Sequence, residues 1–238
     1  MKKIGFIGAY DKTDLLLCIA KMLTLMNNKV LIVDSTINQK AKYVVPAISP
    51  SKSYITNYEN IDISVGLYSF KELENYLGVE SFDKAGYTHV LIDIDNSDLI
   101  EQFELVNADY NYFVTGFDPF TLKKGVEVLS SIRMPLTLTK VLFSNNTEQA
   151  DDEYLNYLSL GMRVQWAENR IYFPINNDDR DKLVESEKVA KITLKDLSKE
   201  FKQSLCFIAA RISGAGDGEV KRVLKQLEKD NDGGSKWQ

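Results

Sequence analysis

Lys12 and Thr13, an ammonium and a hydroxyl placed side by side just after Gly8, are the pair in this chain best suited to chemistry. At the start of a helix, such a lysine can neutralise phosphate charge while the hydroxyl binds a magnesium ion. A phosphate-binding loop also needs glycines one and six residues before the lysine, so that backbone N–H groups can wrap the phosphates. Those two positions hold Asp11 and Phe6. The competing reading is structural: Asp11 caps the helix and Asp14 is an acidic first-turn residue, an assignment that Asp-Lys-Thr-Asp satisfies well. Two carboxylates beside the turn would repel a triphosphate.

Asp34 and Asp93 form a second candidate set. Each ends an apolar run, Val30 to Asp34 and His89 to Asp93. In a parallel sheet, ligands gather outside the carboxyl ends of the strands, near the point where strand order reverses. The candidates are therefore Gly8, Lys12 and Thr13 for a nucleotide, and Thr13, Asp34 and Asp93 for a metal ion. Asp95 and Ser97 follow in the same loop. The plain alternative is that acidic residues often end strands and open loops. Asn145 and Asn146 could read a base through their amides, although a turn is the default role for two asparagines.

Other chemistries are poorly served. No G-x-G-x-x-G follows the first strand, so a dehydrogenase reading fails. A single histidine, His89, and no Gly-x-Ser-x-Gly leave no hydrolase triad. Two separated cysteines, Cys18 and Cys206, exclude a zinc site and read as core thiols of a reducing compartment.

The elements that must position these residues alternate. Strand-like runs at Ile4–Gly8, Val30–Asp34, Ile61–Tyr68, His89–Asp93, Tyr110–Thr115 and Val141–Ser144 are separated by helical patterns. Arg170–Pro174 reads as an edge strand stopped by its proline. The first helix, Leu15 to Leu25, is apolar on nearly every side and must be buried. Asp118-Pro119 opens a helix running to Ile132, with aspartate at the N-cap and proline in the first turn. Further helices are expected at 70–77, 99–105, 154–160, 178–186 and 194–212. Residues 35–60 form a long connection carrying two prolines, of the kind that is usually functional or a partner surface. This alternation predicts an α/β fold: a doubly wound, mostly parallel sheet flanked by helices, in one domain spanning residues 1–212.

The remainder changes character. Residues 213–218 read as a flexible linker. Residues 219–229 form a short amphipathic helix with Val220, Val223, Leu224 and Leu227 on one face, and residues 230–238 read as a disordered tail. So short a helix orders only against something: a membrane, a partner or its own domain.

With 238 residues, 44% hydrophobic and 26% charged, the composition is that of an ordinary soluble domain. A net charge of −5 argues against a general nucleic-acid-binding surface. The N-terminus lacks the apolar run of a secretory leader, and the longest apolar stretch is too short to span a bilayer. A cytoplasmic location is expected, with peripheral contact at the inner membrane surface through 219–229 as an option.

The order of these motifs resembles the ParA/MinD family of deviant-Walker P-loop ATPases over about residues 3 to 190. Ile4 to Thr13 resembles the family's first strand and phosphate loop, and Lys29 to Asp34 its second strand. Tyr87-Thr-His-Val-Leu-Ile-Asp93 is similar to its Walker B strand. Ala108-Asp109 through Asp118-Pro119-Phe120-Thr121-Leu122 and Arg170 to Pro174 resemble two further segments. Val141 to Asn145 is similar to a strand whose asparagine lies near the adenine. The resemblance implies ATP or ADP with magnesium as cofactors, a homodimer, and protein partners in a larger assembly. The departures imply a degenerate member. Ile7 stands where the intermonomer signature lysine belongs, Ala9 and Asp11 replace glycines, and Thr36 replaces a catalytic aspartate. The expected role is a localisation or scaffolding adaptor with weak or absent ATP hydrolysis and no catalytic residue. The alternative is an active nucleotide-switched ATPase that positions a cellular machine or DNA. Nucleic acid as a direct partner is disfavoured by the charge.

Overall fold

A computed structural model describes residues 1–46, 52–144 and 149–229 of the chain. Eight strands form one sheet: β1 (Lys2–Ile7), β2 (Val30–Asp34), β3 (Tyr54–Tyr58), β4 (Ile61–Val65), β5 (His89–Ile94), β6 (Tyr110–Gly116), β7 (Leu136–Phe143) and β8 (Val164–Phe173). The spatial order is β3-β4-β2-β5-β1-β6-β7-β8, parallel except for the antiparallel β3–β4 edge. Strand order reverses around β1, which lies between β5 and β6.

Nine helices cover the sheet among the described residues: α1 (Thr13–Leu25), α2 (Ala41–Val44), α3 (Phe70–Leu77), α4 (Leu99–Gln102), α5 (Pro119–Ser130), α6 (Gln149–Leu158), α7 (Asn177–Lys188), α8 (Lys199–Ser213) and α9 (Asp217–Lys229). One core holds α1, α8 and α9 against one face of the sheet, and a second holds α3, α4, α5 and α6 against the other. With both faces covered, a central strand must be apolar along its whole length. All five residues of β2 are accordingly buried, Asp34 included. The α5 cap forms as its sequence predicts: the Asp118 side chain accepts the Thr121 N–H at 2.9 Å, with Pro119 at the first helical position.

The structure differs from the sequence expectation in several places: β7 begins at Leu136 rather than Val141, α8 begins at Lys199 rather than at 194, α4 stops at Gln102, and two regions are built differently. The 35–60 connection is not structureless. It contains α2 and β3, and β3 turns into β4 through Glu59 and Asn60, both at positive φ. Paired positive φ values suit a two-residue hairpin whose usual signal is Asn-Gly or Asp-Gly. Glu-Asn does not announce it. Glu59 is held there by an ion pair with Lys21 at 2.8 Å. The edge strand is also longer than its Arg170–Pro174 core, because β7 pairs with it from Leu136 onward across an irregularity between Leu138 and Lys140.

The C-terminal helix finds its own domain. Gly214, left-handed at φ 76°, caps α8, and α9 starts at Asp217, so the joint is shorter than the 213–218 linker reading. Val220, Val223 and Leu227 are buried in the core shared with α1 and α8, and Lys202 pairs with Glu228 at 2.7 Å. The stripe considered for a membrane is therefore covered by the chain itself. The tail reading for 230–238 lies outside the described residues. Among the described residues no helix is long and apolar enough to cross a membrane.

Candidate functional site

The carboxyl ends of β1, β2 and β5 lie side by side, with Phe6 opposite Asp93 and Asp93 opposite Asp34. The turn from β1 to α1 begins at Gly8, where φ is 135° and a Cβ atom would lie 2.3 Å from the Val114 carbonyl oxygen. Only glycine fits there. Its N–H donates to Ile94 O at 3.1 Å, tying the turn to the end of β5.

Lys12 stands at the N-cap of α1 and turns inward, with its side chain 1% exposed. Its Nζ lies 2.5 Å from Gly8 O, 2.9 Å from Tyr10 O and 2.9 Å from Asp93 Oδ1. Asp93 is also buried. Burial pushes its carboxyl up to about 7, against the pull of Lys12. Thr13, the first residue of α1, is buried beside them.

Asp11 is not the N-cap that its sequence suggests: Lys12 holds that position without a side-chain cap bond, and Asp11, one residue earlier, bonds two residues on. Its Oδ1 accepts the Thr13 N–H at 3.1 Å, and its Oδ2 lies 2.9 Å from Lys40 Nζ. Burial would raise its carboxyl; Lys40 and the Thr13 N–H outweigh this and hold it below the usual range. Lys40 also reaches Asp14 at 3.4 Å and Glu187 of α7 at 2.6 Å. Asp14 is pushed up to about 6 by burial, with Lys40 opposing and Glu187 and Asp11 adding to the rise.

Asp34 is engaged on both oxygens. Oδ1 accepts from Thr36 N at 3.1 Å and Thr36 Oγ1 at 2.6 Å, and Oδ2 accepts from Ala41 N at 3.0 Å. Asp95 accepts the Ile37 N–H through both oxygens, at 3.2 and 3.1 Å. The strand-end carboxylates thus anchor the segment after β2. Among the described residues, no group of three or more His, Cys, Asp or Glu side chains could hold a metal ion.

These groups surround a cavity of about 420 Å³, walled by the 8–13 turn, Thr36, Lys40, Tyr43, Asp93 and Asp95. The structure gathers Gly8, Lys12, Thr13 and Asp93 into one site, with Asp34 on the neighbouring strand end. Asn145 lies outside the described residues. Ile7 is wholly buried in the core, so no side chain from that position reaches across the mouth. Of the tyrosines in the 35–60 connection, Tyr43 is 80% exposed, whereas Tyr54 and Tyr58 face the core as part of β3 and are buried. Tyr10 stacks on Phe143 with ring centroids 4.2 Å apart. Sequence reading missed Lys40 and Glu187, which carry no motif; Lys40 is one of three lysines in the 35–60 connection.

The groups as they stand do not fit a nucleoside triphosphate with its magnesium ion. The Lys12 ammonium is turned onto loop carbonyls and Asp93, the Thr13 N–H is taken by Asp11, and both Asp34 oxygens are engaged.

No family model matches the chain, and no curated protein matches it. Solved structures do match the fold. The MinC:MinD cell division complex of Aquifex aeolicus aligns with a TM-score of 0.58 at 12% identity, covering 91% of this chain and 97% of that one. A ParA family ATPase from Chlorobium tepidum aligns at 0.56 and 14% identity, covering 87% and 98%. A plasmid partition protein of Borrelia burgdorferi bound to AMPPNP aligns at 0.55 and 13%, covering 95% and 99%. The chain has the ParA/MinD type of P-loop fold.

Proposed function

We propose that this chain, built on a ParA/MinD-type fold, is a degenerate member that works as a dimeric localisation or scaffolding adaptor for a cytoplasmic or membrane-associated assembly. Its ATP hydrolysis is weak or absent. The observation that carries this reading is the engagement of Lys12 by Asp93, Gly8 O and Tyr10 O in a turn where Asp11 replaces glycine. Phosphoryl transfer depends on cations and N–H groups aimed at the transferring phosphate. Here they face inward. Exposed apolar side chains, Ile37, Tyr43 and Phe120, stand on segments that follow β2 and β6 and suit a protein partner or a second copy.

The test is phosphate release from ATP by the purified full chain, beside a Lys12→Ala variant. Rates equal to the buffer blank in both support the adaptor. Turnover abolished by Lys12→Ala would overturn it in favour of a nucleotide-switched ATPase. That second reading draws on one observation, the cavity of about 420 Å³ that places Lys12, Thr13 and Asp93 together. It requires ATP or ADP with magnesium to draw Lys12 away from its internal partners.

A further inference from the structure

Among the described residues, the mouth of the site contains two ammonium groups, and each is ringed by oxygen atoms of the chain. An ammonium has three donors. Lys12 donates to Gly8 O and Tyr10 O and forms an ion pair with Asp93 Oδ1 at 2.9 Å. Lys40 forms ion pairs with Asp11, Asp14 and Glu187. The Asp11 carboxylate takes up the two kinds of contact an anion seeks at such a turn. One oxygen accepts a backbone N–H at the start of α1, and the other meets a lysine.

We infer that Asp11 is the specificity-determining residue of this site: its carboxylate is a built-in anion, held by Thr13 N–H and Lys40, that excludes the phosphates of a nucleotide. The inference deepens the adaptor reading, on which it rests, because it names the residue that closes a former phosphate loop. Lys40 secures the closure by joining the turn to the segment after β2 and to α7. A polyphosphate entering the turn meets a fixed negative charge and an N–H already bonded. Replacing Asp11 removes both obstacles and leaves Lys40 with two carboxylate partners instead of three.

The test is titration of a fluorescent ribose-labelled ATP analogue with magnesium into full-length wild type, Asp11→Gly, Asp11→Asn and Asp11→Gly/Lys12→Ala. Correspondingly labelled adenosine is titrated in parallel. At an effective dielectric near 20, one charge removed beside a polyphosphate changes affinity by about a hundredfold. We expect Asp11→Gly to bind labelled ATP about a hundredfold more tightly than wild type, and adenosine with little change. Asp11→Asn, which keeps the acceptor for Thr13 N–H without the charge, should fall between. The added Lys12→Ala should erase the gain. Circular dichroism verifies folding, and if the glycine variant is unfolded, the asparagine variant decides. No gain for ATP in folded variants, or an equal gain for adenosine, would overturn the inference. Either result leaves the adaptor reading intact, since that falls only to Lys12-dependent turnover by the wild type.

Discussion

The Nζ of Lys12 lies 2.9 Å from Oδ1 of Asp93, and both side chains are almost wholly buried. The contact joins the first turn of α1 to the end of β5 through the middle of the sheet's mouth. An ion pair so placed is sensitive to loss of one partner, because the other is left charged and out of water.

Asp93→Ala should therefore lower the unfolding free energy by about 3–5 kcal/mol. Asp93→Asn, which still offers the ammonium an acceptor, should cost less. Urea denaturation checks both. A loss below about 1 kcal/mol for the alanine variant, the size of one ordinary hydrogen bond, would mean that Gly8 O and Tyr10 O satisfy Lys12 unaided.

The stability contributed by Asp93 and Asp14 should fall as pH rises from about 5 to 7.5, while His89, lowered by burial, works in the opposite direction. Burial pushes Asp93 up to about 7, with Asp34 and Asp11 adding and Lys12 opposing. It likewise pushes Asp14 up to about 6, with Glu187 and Asp11 adding and Lys40 opposing. In the unfolded chain aspartates titrate at about 4, so these two bind more protons in the folded state across this window. The stability these groups contribute is complete below about pH 4 and is lost as pH rises through the folded values. Asp11 runs the other way, since Lys40 and Thr13 N–H hold it low, and its contribution is lost only in stronger acid. Urea midpoints at pH 5.5 and 7.5 provide the comparison, and Asp14→Asn should shift their difference in favour of pH 7.5. A difference unchanged by that substitution would contradict this account.

Leu227→Ala should cost about 2–5 kcal/mol, as expected for truncating a core leucine. Leu227 is only 3% exposed, between α9 and the rest of the domain. Lys225→Ala, on the exposed side of the same helix, should change stability by less than about 0.5 kcal/mol. Equal effects of the two substitutions would show that α9 is not docked in solution.

Tyr43→Glu and Phe120→Glu should disrupt self-association. These side chains are 80% and 73% exposed, and apolar surface of this kind is enriched at the centres of interfaces. Light scattering at high micromolar concentration should report a dimer for the wild type and a monomer for the double variant. A monomeric wild type would leave the face to another protein.

Much of the architecture could be read from the chain because its signals are local. The Val30–Asp34 and His89–Asp93 runs are apolar throughout, as strands covered on both faces must be. Asp118-Pro119 marks a helix start on its own. Gly8, Lys12, Thr13, Asp34 and Asp93 could be placed at one end of a parallel sheet, since strand direction and topology bring their positions together. The β3 hairpin escaped because Glu59 and Asn60 adopt its turn without the usual glycine. Lys40 escaped because its three carboxylate partners come from α7 and the 8–14 turn, separations that no spacing rule covers.

The alternation of apolar runs and helical patterns was enough to specify the α/β class and the position of the turn after β1, since periodicity reflects which faces are buried. The Val220, Val223 and Leu227 stripe showed that α9 needs a surface; packing against α1 and α8 supplied it. Likewise, Asp-Lys-Thr-Asp suited a capped helix better than a phosphate cradle without excluding the cradle. What separates those readings is where the Lys12 ammonium and the Asp11 carboxylate point. Their direction depends on Asp93, Lys40 and Glu187, which are far away in sequence and within hydrogen-bonding distance only once the chain has folded.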